Sequence, residues 1–178
     1  MSEEDRGWME SLLAPSVSLS AGAIIVGSWM LLLTIINIAF GAFSGGRKIN
    51  WIDFMTNGSN TNSAHSVGLT LPDDIVFGIL SISIVGAGVY GMGAAREDGF
   101  SGWASKLPED RIVTSLFSAK DGLQRTFASW LILFGSMYYF IWSSLESTWV
   151  DPGVYSVMVA LVSMGIGIHL IQDSSSSG

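Results

Sequence analysis

Four apolar runs, about Leu19–Phe43, Ile75–Ala95, Phe127–Leu145 and Gly153–Ile171, contain no Asp, Glu, Lys or Arg. Each is about 19–25 residues long, and at about 1.5 Å rise per residue a helix of that length spans a hydrocarbon layer of about 30 Å. A water-soluble helix as long would carry charge along one face. The expected fold is therefore an all-α integral membrane protein, a bundle of four transmembrane helices.

The 178 residues leave room for little else. Outside a transmembrane domain at 19–171, the chain has an N-terminal tail (1–18), a short C-terminal tail (172–178) read as flexible, and connections too short for a soluble core. There are no cysteines, which excludes structural disulfides, thiolate zinc sites and iron–sulfur clusters. Fifteen acids against eight bases give a formal charge of −7, and no dense basic stripe exists to neutralise phosphates, so nucleic acid is not an expected partner. The acids fall at the ends and in the connections, where solvation is expected. The first run is too long, and the leader before it too acidic, for a cleaved signal peptide.

The bases set the expected topology. Arg6, Arg96, Lys106, Arg111, Lys120 and Arg125 share one side, against Arg47 and Lys48 on the other. Positive-inside bias then places both termini and the 96–126 connection in the cytoplasm of a cell-membrane protein. The small, uncharged stretch Thr56–Ser63 suits an outer loop, and Asn57-Gly58-Ser59 within it is a candidate glycosylation site.

Helix starts are marked by Pro15, by Leu71-Pro72-Asp73-Asp74 with acids at the positive end of the dipole, and by Asp151-Pro152 as N-cap and first residue. Arg96 closes the second helix. Two short amphipathic segments, Trp8–Leu13 and Pro108–Phe117, are expected along the headgroups or against the bundle. In the second of these, Ile112, Val113, Leu116 and Phe117 form the apolar stripe. Trp51, Trp149 and Tyr155 read as belt anchors near span ends.

Packing is the most specific signal. Ser83, Ala87, Gly91 and Ala95 form a small-xxx-small ladder on the second span, flanked by Gly86, Gly88 and Gly93. In lipid, close backbone approach over small residues is a main route to helix association. Gly41–Gly45 adds a GxxxG, and Ala23 with Gly27 a weaker pair. The polar residues at depth are Thr34 and Asn37, expected to bond between helices or to line a pore.

Chemistry finds few handles. His65 and His169 fall on opposite sides, which disfavours bis-histidine haem, and His169 is expected to be a polar residue reaching the interface. Gly99-Phe100-Ser101-Gly102 and Ala64-His65-Ser66-Val67-Gly68 resemble fragments of rhomboid-like serine proteases. They lie in connections on opposite faces here, and the spans are too few. Small multidrug transporters also have four spans but use a buried Glu, and the runs hold none. The third span is rich in aromatics (Trp130, Phe134, Tyr138, Tyr139, Phe140, Trp142), which could line a lipid or quinone pocket.

No cofactor, metal or catalytic group is expected. The function that follows is an accessory or scaffold protein acting through helix packing and the cytoplasmic connection. Its expected partners are the lipid bilayer and either further copies of the chain or other membrane subunits. A homo-oligomeric channel lined by Thr34, Asn37, Ser136 and Ser143 is the first alternative. The second is the membrane subunit of a lipid- or quinone-linked enzyme.

Overall fold

The computed structural model describes residues 15–52 and 66–176. Trp8–Leu13, the Asn57 sequon and His65 lie outside the described residues. Four helices are long and apolar enough to cross a membrane: α1 (Val17–Ala39), α2 (Asp73–Ala95), α5 (Leu123–Glu146) and α6 (Pro152–Ser176). Between α2 and α5 lie two short helices, α3 (Gly99–Lys106) and α4 (Arg111–Phe117). The fold is thus the expected all-α membrane architecture.

The helix ends show where a reading by charge alone misplaces them. At α1, Ser16 is the cap, its Oγ accepting from the Leu19 N–H at 3.2 Å, so Pro15 stands just outside. α1 stops at Ala39, short of Phe43. The Phe40 and Gly41 N–H groups both fold back onto the Ile36 carbonyl, at 2.8 and 3.0 Å. Gly41 and Gly45 have φ of 79° and 72°, the left-handed region that glycine enters without a Cβ clash. Their GxxxG spacing therefore belongs to a turn and not to a helix face. Asp151 caps α6 as expected, accepting from the Val154 N–H at 3.0 Å with Pro152 as first residue.

α5 begins four residues ahead of its charge-free run, taking in Arg125, and α6 continues beyond Ile171 to take in Asp173. The stretch from 172 read as a flexible tail is helical as far as Ser176. α3 was not foreseen. It places Ser101 in an exposed position, and its Phe100 and Trp103 rings lie 5.9 Å apart. In α4, Ile112, Val113 and Leu116 are half-buried and the helix packs on α5, whereas Phe117 is 85% exposed.

The chain forms two compact units. The first comprises residues up to Gly41 together with Arg47–Ser105; the second comprises Ala42–Gly46 and the chain from Lys106. Each is built on one antiparallel helix pair, α1 with α2 and α5 with α6.

In the first unit the seam follows a helical period: Ser20, Ile24, Gly27, Thr34 and Asn37 on α1 meet Asp74, Ser81, Gly88, Gly91 and Met92 on α2. A Cβ placed on Gly88 would lie 2.8 Å from the Ile24 backbone nitrogen and the Ser20 carbonyl. One on Gly27 would lie 2.8 Å from the Val85 backbone nitrogen. Only glycine permits that approach.

The second unit repeats the device. A Cβ on Gly165 would lie 2.5 Å from the Ala128 carbonyl, and one on Gly135 would lie 3.0 Å from the Leu161 Cβ. Between 17% and 33% of each apolar window is buried within the chain, which leaves most of every span's surface for lipid or other helices.

Candidate functional site

The predicted packing ladder divides when placed on α2. Gly91 is buried at the α1 seam, where an added Cβ would meet Pro15 Cγ and Ser20 Oγ at 2.6 Å. Ser83, Ala87 and Ala95 are exposed. A four-residue repeat drifts by about 40° per step around a helix of 3.6 residues per turn, so the ladder turns from the outer face into the seam. The contact with α1 is made instead by Ser81, Val85, Gly88, Gly91 and Met92. Roughly opposite that seam, Ser83, Gly86, Ala87, Gly93 and Ala94 surround Tyr90, which is 75% exposed, on an outer face of α2. No atom comes within 4 Å of a Cβ built on Gly86 or Gly93.

The polar centre of the first unit lies where α1 ends and α2 begins. Asn37 is fully buried, and its amide clasps the backbone of Ile49: Nδ2 donates to the Ile49 carbonyl at 2.8 Å, and Oδ1 accepts the Ile49 N–H at 2.7 Å. Its Nδ2 also lies 3.5 Å from Asp74 Oδ1. Thr34 turns its hydroxyl onto the Met30 carbonyl of its own helix at 2.9 Å. Both side chains therefore spend their polarity within the unit.

Asp73 and Asp74, expected to be solvated acids at a helix start, are 6% and 1% exposed. Asp73 accepts the Trp51 and Ile52 N–H groups, each at 2.8 Å. Asp74 forms an ion pair with Lys48 in which both side chains are wholly buried, and it also accepts the Thr70 N–H at 2.7 Å. The three ammonium protons of Lys48 have three acceptors: the Gly68 carbonyl, Thr70 Oγ1 and Asp74 Oδ2. Trp51 stacks on Phe77 with centroids 4.1 Å apart.

Taking two charges out of water is costly, and such a pair persists only when its remaining hydrogen bonds are made. Here they are, so the cluster pins 47–52 and 66–72 across the mouth of the helix pair. The Lys48 ammonium therefore keeps no proton free for a substrate. The charge-free runs hid this pair because its members stand just outside them.

In the second unit, Tyr139 turns inward from the aromatic-rich third span. Its Oη and that of Tyr155 both donate to the Trp149 carbonyl, at 3.1 and 2.7 Å, and the Trp149 N–H donates to the Ala42 carbonyl at 2.8 Å. Trp149 and Tyr155 thus hold the α5–α6 turn together in addition to any belt role. Trp130, Phe134, Tyr138 and Phe140 are exposed. Ser143 is fully buried and Ser136 half-buried.

At the other end of this pair a second polar cluster assembles. His169, expected at the interface, is 5% exposed and its Nε2 lies 3.0 Å from Ser129 Oγ. Arg125, in the first turn of α5, pairs with Asp173 through Nη2 at 2.7 Å, and Arg111 reaches the same carboxylate oxygen at 2.8 Å. These groups border a cleft of about 450 Å³. Among the described residues, no three His, Asp or Glu side chains are grouped to hold a metal ion.

Against known proteins, the chain matches no family model, no curated protein and no solved structure. Residue geometry therefore carries the functional reading alone. Among the described residues it offers packed glycine seams, a buried ion-pair lock, an outer α2 face of small residues around Tyr90, and a polar cleft beside Arg125 and His169.

Proposed function

We propose that this chain is an accessory or scaffold protein of the cell membrane, with both termini cytoplasmic, that works by packing against other membrane helices. The observation that supports it best is the outer face of α2. Ser83, Gly86, Ala87, Gly93 and Ala94 gather around the exposed Tyr90 on a surface separate from the glycine seam that folds the unit. Small residues give lipid little to hold, whereas they let a partner backbone come close. The buried polar groups favour the same reading over a pore, since Asn37 and Thr34 are occupied by internal bonds. The partner is a second copy or another membrane subunit.

The test follows from the division of the ladder. Gly91→Leu would strike the internal seam and confuse folding with assembly. Gly86→Leu with Ala87→Leu should not lower the thermal midpoint in mild detergent, because neither side chain enters the seam and surface changes cost little. The same double variant should shift the native complex to smaller mass. Unchanged mass would overturn the proposal.

A further inference from the structure

We propose that the cleft of the second unit binds the phosphate of an anionic phospholipid, with Arg125 as the buried donor. Arg125 is 5% exposed, and only its Nη2 is engaged, by Asp173. Its Nη1 is buried and makes no hydrogen bond. A guanidinium carries five donors in a planar fork suited to phosphate oxygens, and a buried cationic N–H left unpaired is costly. An acceptor in the cleft beside Arg125 removes that cost.

The neighbouring groups fit the same ligand. Ser129 is 1% exposed, its Oγ lies 3.0 Å from His169 Nε2, and His169 borders the cleft; in the tautomer whose Nε2 accepts the Ser129 hydroxyl, Nδ1–H is a second donor for the anion. The remaining charges nearly balance. Asp110 accepts the Ile112 N–H at 2.8 Å, and Asp173 bridges Arg111 and Arg125. Asp173 and Arg111 have half or more of their side chains in solvent, where water screens them, whereas the Arg125 side chain is 6% exposed. The anion is thus held mainly by the Arg125 fork.

Depth argues for a lipid. Arg125 stands two residues before the third apolar run and His169 two before the end of the fourth, which places the cleft at headgroup level. Ile166 and Leu170, 43% and 63% exposed, border the cleft and offer an acyl chain an apolar track. This inference rests on the membrane span of α5 and α6 and not on the scaffold role.

The experiment is native mass spectrometry of the full chain in mild detergent, titrated with phosphatidylglycerol or phosphatidylcholine. Choline neutralises its own phosphate, so phosphatidylglycerol should bind roughly tenfold tighter, as expected for one charge-assisted contact. Arg125→Met should abolish the preference. If that variant fails to fold, Arg111→Gln, at an exposed position, should weaken it, while Lys120→Gln should not. Parallel thermal-shift assays with inorganic phosphate and glycerol phosphate identify the source. No stabilisation by either supports a lipid, whereas stabilisation equal to that by phosphatidylglycerol overturns the lipid assignment in favour of a soluble phosphate. Equal binding of the two lipids by the wild type, together with no effect of phosphate, overturns the site.

Discussion

Lys48→Met is expected to destabilise the protein by about 3–5 kcal/mol, the range measured when one partner of a buried ion pair is removed. The substitution leaves the Asp74 carboxylate buried with the Thr70 N–H and a long contact to Asn37. It also strips the Gly68 carbonyl and Thr70 Oγ1 of their donor. Lys48→Met combined with Asp74→Asn removes the uncompensated charge while keeping an acceptor for the Thr70 N–H. The double variant should therefore be more stable than Lys48→Met alone. Equilibrium unfolding in detergent reads both. A Lys48→Met loss below about 1 kcal/mol, the range of exposed pairs, would mean that water reaches the cluster.

Gly88→Ala should be nearly as damaging although it adds a single methyl. The new Cβ would lie 2.8 Å from two backbone atoms of α1, which cannot rotate away as a side chain would, so the helices have to separate. Overpacking of this kind costs about 1–3 kcal/mol, and the thermal midpoint should fall by roughly 3–10 °C. Gly86→Ala, two residues earlier, meets nothing within 4 Å and should be neutral or gain up to about 1 kcal/mol from helix propensity. Equal midpoints for the two variants would place the α1–α2 seam elsewhere.

These two positions show what could be read from the chain and what could not. The four spans were legible because lipid excludes charge over the length of a bilayer, and that rule acts on consecutive residues. It misplaced the ends for the same reason. A run stops at its first charge, but α5 and α6 continue past theirs and so bring Arg125, His169 and Asp173 together. Lys48 and Asp74 are 26 residues apart, and no periodic signal couples them.

The ladder on α2 was visible as a repeat of four, yet its drift around the helix put Gly91 in the seam and left Ser83 and Ala87 outside it. Gly88, which makes the tightest contact with the α1 backbone, stands beside the ladder and outside its four-residue spacing. Spacings of three and four taken together, as in Ser81, Gly88 and Met92 with Val85 between them, would have marked the seam.

Assembly through the outer α2 face is tested most directly in native membranes, where the absence of cysteine allows single thiols to be placed cleanly. Ser83→Cys and Ala87→Cys should each cross-link on mild oxidation, giving a dimer of the chain or an adduct with a second membrane protein. Val89→Cys, on a different side of the helix, should not. Cross-linking at 83 and 87 no stronger than at 89 would contradict the assignment of that face to a partner.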